Sequence, residues 1–393
     1  MSPLRGYQRH EGPPGIRNLV ACIHTVECSS FVAEEIAAAS PRVHTLGFPG
    51  CYSNTYASRM MIALACHPNV GAVLLVSLGC EGTDAGTMAE TIRKTGRPVE
   101  IVRIQEEGGT ERAIRRGKKI VADMLAGLEK TPRLEMSISD LTIGTECGGS
   151  DATSGIAANP AVGHAFDMLV DAGATAIIEE TLEMVGCAEI VASRGASTQA
   201  AEQLRETVRK AEEFSLKADQ FSIAAGNHHG GLTTIEEKSM GAFAKCGSAP
   251  IRGIIKVAQK PPGHGLYVLD SVPDPSSFLF GYSNPNDSEG ILDLISCGAH
   301  MVLFTTGRGS VIGSVISPVL KICGNPRTYA RMSGDMDVNA GRIVTGEASV
   351  VEIGEQIFNA ALEVAAGKQT RSEALGHREY CIPYKHQDLC VNA

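Results

Sequence analysis

The strongest constraint on this chain is a rhythm of buried strands. In the first third, the apolar runs NLVACIHTV (18–26), VHTLGF (43–48), GAVLLVSLG (71–79) and VEIVRIQ (99–105) start about 25–28 residues apart. That is the spacing of a strand, a turn and a helix in a parallel sheet. Runs with little polar alternation suit strands covered on both faces. Helix-like stretches fill the gaps at SSFVAEEIAAAS, 53–66 and 83–95, and a charged amphipathic one follows at about 110–129. Residues 1–132 therefore predict a Rossmann-like parallel-sheet domain. The polar, Pro-containing TPRLEM (131–136) breaks the period and reads as a linker.

Residues 133–393 predict a second α/β domain with a less regular beat. Strands are expected at LTIGT (141–145), ATAIIEET (174–181), IRGIIKVA (251–258), GLYVLDS (265–271) and MVLFTTG (301–307). Helices are expected at 161–172, about 196–217 and 350–366. FDMLVDAGATAIIEET and ILDLISCGAHMVLFTTG share a helix, Gly-Ala turn and strand pattern. That likeness is compatible with an internal duplication, and equally with two ordinary α/β units. The polar tail GHREYCIPYKHQDLC reads as a docking or interface segment.

Composition narrows the function. With 393 residues, the chain is long enough for two or three domains and needs no disulfide framework. A net charge of −9 argues against a general nucleic-acid binder. A mean hydropathy of +0.01, without an apolar run of about 18 residues, argues against a membrane-spanning helix. MSPLRGYQRHEGPPG has no apolar signal core, so a cytoplasmic, reducing location is expected, with the 12 Cys as thiols.

Ligands of an open parallel sheet bind at the carboxyl ends of its strands. Cys28, Cys51 and Cys80 follow the first three strands, and Cys147 follows LTIGT. Cys22 and Cys66 fall inside elements and read as core. Each strand-end Cys has an alternative reading as a small buried hydrophobe. The absence of a C-x-x-C pair argues against a zinc ribbon.

Three Gly-rich loops carry the remaining candidates. In ECGGSDATSG, Gly148 and Gly149 let the backbone approach a ligand as an anion nest. There, Asp151 offers a carboxylate, while Ser150 and Ser154 offer hydroxyls; a capped strand-to-helix turn is the alternative. GNHHGGLTTIEEKS brings His229, Thr233, Thr234 and Lys238. Adjacent His228 and His229 point apart, so at most one of them is a ligand. Lys238 reads as a base of lowered pKa, a charge clamp, or a solvated surface lysine. FTTGRGS sets Arg308 between glycines, suited to a carboxylate. Glu179 and Glu180 end a strand near the same edge.

GIRN (15–18), TVEC (25–28), HPNVGAVLLVSLGCE (67–81), ECGGSDATSGIAANPAVG (146–163), GGLTTIEEKSMG (230–241) and FTTGRGS (304–310) resemble the altronate/galactarate dehydratase family. The resemblance runs from GYQRHEGPPGIRN to about Glu355. It implies a metal-dependent hydro-lyase, with iron or manganese, turning a 2,3-dihydroxy sugar acid into a 2-keto-3-deoxy acid. It also implies a small β-rich N-terminal domain that a partner subunit supplies in split systems, and a homo-oligomeric assembly. On this reading Lys238 is the base, with His24 and His229 as alternatives. Arg308, Gly148, Gly149, Ser150, Ser154, Thr233 and Thr234 bind substrate, and Cys51, Cys80, Cys147 and Asp151 hold the metal. The chain departs from the family pattern at Phe48-Pro49-Gly50-Cys51, where members often carry a His before the Gly-Cys. Other readings are a sulfolactate sulfo-lyase-like subunit, a non-catalytic sugar-acid binder, and an iron–sulfur hydro-lyase using the strand-end Cys.

Overall fold

The computed structural model describes residues 4–218, 225–274 and 286–385. Its strands, in chain order, are β1 (Arg5–Tyr7), β2 (Leu19–His24), β3 (Val43–Gly47), β4 (Val70–Ser77), β5 (Val99–Arg103), β6 (Arg133–Glu135), β7 (Thr142–Cys147), β8 (Thr175–Ile178), β9 (Ile251–Lys256), β10 (Gly265–Asp270), β11 (Met301–Thr306), β12 (Val319–Cys323) and β13 (Val338–Asn339). Two parallel sheets result. The first has the order β3-β2-β4-β5 and the second β13-β12-β11-β7-β8-β10-β9. The expected α/β class, a Rossmann-like sheet followed by a second α/β sheet, is what forms.

Burial explains why. Every residue of β4, VGAVLLVS, is buried, so only a central strand covered on both faces suits it. The helices at Ser30–Ala37 and Thr110–Leu128 cover one face of the first sheet, through Ile36, Ile120, Val121 and Met124. Thr55–Ala65 and Ala85–Lys94 cover the other. Their starts are fixed by Asn54 and Asp84, whose side chains accept from the first free backbone N–H groups.

That second face is shared. Met60, Met61 and Leu64 of the N-terminal domain lie in one apolar cluster with Ile291, Leu294 and Ile295 of the helix Asp287–Ser296. The two sheets are thus joined by packed helices. The opposite face of the larger sheet is covered by Asn159–Asp171 and Val350–Ala365.

Three differences from the sequence expectation have physical causes. TPRLEM is no free linker: Arg133–Glu135 forms β6, antiparallel to Arg5–Tyr7. β12 escaped notice because Lys321 interrupts its apolar run; that lysine is fully buried and donates to Ile312 O at 3.1 Å. The two look-alike segments give β8 and β11, which flank β7. Their helices, however, pack in clusters on opposite faces of the sheet, and the shared pattern is that of two α/β units. Of the polar tail, 376–385 is described and touches the N-terminal domain at His24, Phe48 and Asn54, while 386–390 lies outside the described residues.

Candidate active site

The carboxyl ends of β7, β8 and β10 open into a cavity of about 120 Å³. Seven carboxyl side chains line it: Glu146, Glu179, Glu180, Glu183, Asp287, Glu289 and Asp293. Buried charge must be paired, and three lysines do this. Lys238 Nζ lies 2.7 Å from Glu183, 3.0 Å from Cys147 Sγ and 3.2 Å from Ser150 Oγ. Lys245 pairs with Glu180, and both are buried. Lys385 reaches Glu289 at 2.7 Å and Asp293 at 3.5 Å.

Backbone features place these groups. Beyond Cys147 the chain enters a π-helical turn at Ser154–Ala158, a distortion frequent at functional sites. Gly155 and Gly241 pack Cα on Cα there. That approach seats the helix Ile235–Ala244 close enough for Lys238 to touch Cys147. Gly148 is required for a similar reason: a Cβ on it would lie 1.9 Å from Asp287 Oδ2. A Cβ on Gly290 would lie 2.7 Å from Glu146 Oε2 and 3.0 Å from Glu179 Oε2.

Proton affinities follow from the crowding. Burial, then the neighbouring Glu179 carboxylate and a hydrogen bond to it, push the Glu146 carboxyl well above its usual range. Burial, with Glu183 nearby, raises Asp287 to about 6. Burial raises Asp293 to about 7, partly offset by Lys385. Burial opposes the charge on Lys238, but Cys147 and Glu183 outweigh it and raise its pKa, so it is an ammonium.

Cys147, Glu180 and Glu183 form a group whose donor atoms all lie within 4.8 Å of one another. A thiol and two carboxyls suit a divalent transition metal better than calcium or magnesium. The surplus of carboxyls over lysines also favours a cation, so the residues present fit such an ion.

Two family profiles match the chain. Residues 138–387 match the D-galactarate/altronate dehydratase C-terminal family, and 6–129 match the second domain of D-galactarate dehydratase/altronate hydrolase. The (2R)-sulfolactate sulfo-lyase subunit beta of Chromohalobacter salexigens is 34% identical over 96% of both chains. The altronate dehydratase of Escherichia coli (strain K12) is 30% identical over 96% of this chain and 76% of its own length. That of Bacillus subtilis (strain 168) is 27% identical, over 96% and 77%. The chain belongs to the galactarate/altronate dehydratase family. Like those relatives, it is a lyase.

Within this family member, Cys147, Ser150 and Lys238 lie in mutual contact. Gly149 O accepts from the backbone N–H groups of Gly307 and Arg308, so Arg308 also reaches the CGGSD loop. The Gly148 amide is already engaged, donating to Thr305 O. Ser154 Oγ accepts from Asp151 N, and Asp151 itself takes Thr153 and Asn325. Thr234 caps the Lys238 helix in a capping box with Glu237, which also takes the Thr233 hydroxyl. His229 is exposed on the short helix Ala225–His229. His24 sits in the N-terminal domain, 3.0 Å from the Tyr380 hydroxyl, and burial lowers its pKa.

The four expected metal ligands are not brought together. Cys51 and Cys80 are exposed at the other sheet, and Asp151 is spent on its own turn. Sequence reasoning missed Glu146, Glu183, Asp287, Glu289, Asp293, Lys245 and Lys385. One signal was available: Glu289 and Asp293 stand four apart in the stretch EGILDLIS, so both lie on one buried helix face.

Proposed function

We propose that the chain is a sugar-acid dehydratase, removing water from an aldonic or aldaric 2,3-dihydroxy acid to give a 2-keto-3-deoxy acid. The observation that carries this reading is a pair of buried, hydrogen-bonded carboxyls, Glu146 and Glu179, facing a cavity whose Glu183 is paired with the cation Lys238. Two hydrogen-bonded carboxyls share one proton. Hydroxide is a poor leaving group and needs that proton, which Glu146 supplies. Glu179, its partner, accepts the proton next to the substrate carboxylate. Water leaves, the enol product becomes the keto acid, and the proton on Glu179 returns to Glu146 across their hydrogen bond. Lys238 offsets the charge that builds on the substrate carboxylate.

Cys147, Glu180 and Glu183 are the residues that would hold the divalent iron or manganese. When bound, the ion supplies charge stabilisation for an enediolate. A small β-rich subunit is the proposed partner, because a relative matched over 96% of both lengths is by name a beta subunit. A homo-oligomeric, cytoplasmic enzyme completes the proposal.

That same relative favours a second reading, elimination of a sulfo group, which leaves without needing a proton from Glu146. A screen of aldonic and aldaric acids, with ferrous or manganous ion and the small subunit, separates the two. Release of 2-keto-3-deoxy acid is expected. Sulfite release from sulfolactate, with every sugar acid inert, overturns the dehydratase reading.

A further inference from the structure

Another cavity, of about 420 Å³, lies at the amino ends of β2, β3 and β12. The acidic cavity opens instead at the carboxyl ends of β7, β8 and β10, so the two are separate. Three parts of the chain meet here: the N-terminal domain at Asn18 and Arg42, the loop at 314–317, and the tail at His377 and Arg378. The volume suits a small molecule.

Its charge is the reverse of the chain's. The whole chain carries −9. The lining of this cavity has four arginines, Arg17, Arg42, Arg133 and Arg378, and a single carboxylate, Glu373. Glu373 is fully engaged, because both its oxygens accept from Arg17, at 2.7 and 2.8 Å. Arg42 pairs with Glu129, an exposed residue outside the lining. Arg133 and Arg378 are different. Among the described residues their side chains donate to carbonyl oxygens, Arg5 O at 2.6 Å and Pro41 O at 2.9 Å, and neither joins a carboxylate. A guanidinium has five N–H donors, so each keeps most of them for another partner. Arg133 also lies over the Tyr7 ring, 5.1 Å from its centre, which holds it in place.

His44 adds to this. Its Nδ1 meets Val315 O at 2.5 Å and its Nε2 meets Pro41 O at 2.9 Å. Carbonyls only accept, so both contacts are hydrogen bonds when both ring nitrogens carry a proton and the ring is positive. Burial above all, with the Arg378 charge adding to it, lowers the His44 pKa and opposes that state. An anion in the cavity removes the conflict. The lining therefore gathers cationic donors, already placed by carbonyls and an aromatic ring, around a space with no spare carboxylate.

We propose that this cavity binds a small, multiply charged oxyanion through Arg133, Arg378 and His44, at a site separate from the one that takes the substrate. Phosphate and carboxylate groups share the geometry that a guanidinium fork recognises. The ligand ties the tail to the N-terminal domain. That tail carries Arg378 and runs on to Lys385, which is paired with Glu289 in the acidic cavity, so occupancy fastens a strap that reaches the catalytic end of the molecule.

The test is titration calorimetry of the full chain with inorganic phosphate and with succinate, using sodium chloride at matched ionic strength as the blank. Saturable binding of one anion per chain is expected. Binding of phosphate alone identifies a phosphate compound as the ligand class, and binding of succinate alone a polycarboxylate. R133Q and R378Q should each weaken binding about tenfold, while E146Q, in the acidic cavity, leaves it unchanged. R378K, which keeps the charge and loses the fork, should bind with intermediate affinity. Both arginines are exposed, so melting of the variants without added anion should match wild type and show that they fold. No saturable binding of either anion overturns the proposal, as does wild-type affinity in R133Q or R378Q.

Discussion

The carboxyl rim of the first sheet carries three exposed thiols and one fixed carboxylate, Glu81. The corresponding rim of the second sheet gathers seven carboxyls, five of them buried, against three lysines. Both rims end parallel strands of the same class. They differ in solvent access. At the open rim, side chains keep their hydration and place few demands on neighbours. At the closed rim every charge must be matched within the protein, so each residue's protonation depends on the others. The tail joins the two. Phe48, beyond β3, stacks on Tyr384, and Asn54 donates to Lys385 O at 3.2 Å. The next contact is the Lys385 ammonium in the acidic cavity.

The contrast can be broken first at Glu146. Glu146→Gln keeps the shape and removes the transferable proton; turnover should fall roughly 1,000-fold, with KM little changed in steady-state assays. Wild-type turnover in this variant would remove Glu146 as the acid.

Lys245→Met strands Glu180 as an unpaired buried carboxylate. A loss of about 4 kcal/mol is expected, read by urea unfolding. A loss below about 1 kcal/mol would mean that water or another cation reaches that pair.

Lys385→Ala should cost less, about 3 kcal/mol, because Asp293, already raised to about 7, takes up a proton and quiets the cluster. Limited proteolysis should release the tail in the same variant. A tail that stays protected would show that Tyr380 and Tyr384 hold it without the lysine.

Asp287 gives a pH test. Its folded pKa is raised to about 6 by burial, so its contribution favours the fold at low pH and is lost as pH rises through 6. Asp287→Asn should therefore gain stability relative to wild type above pH 6, by up to about 3 kcal/mol, with little gain near pH 4. Equal offsets at both pH values would refute the burial of that carboxyl.

The smallest effect belongs to the open rim. Cys51→Ser should change stability by less than about 0.5 kcal/mol, because its thiol is exposed. A larger loss would show that the rim thiols are packed after all.

Much of this molecule was legible as pattern. β4 and the helix Thr110–Leu128 follow from apolar runs and amphipathic spacing, which depend only on neighbours along the chain. The loops with Cys147 and Lys238 stood out by their glycines. What stayed hidden was any element whose partner is remote. β6 needs Arg5–Tyr7, about 130 residues upstream. β12 carries a lysine that only tertiary burial explains.

The sequence by itself determined a parallel α/β chain, its family and the thiols and glycines at strand ends, because strand rhythm and strand-end chemistry are local properties. Tertiary structure alone decided which of those ends share a cavity. It separated Cys51 and Cys80 from Cys147, and it gathered carboxyls and lysines from position 146 to position 385 into one site. The physical reason is that a buried charge is defined by what surrounds it, and its surroundings come from distant parts of the chain.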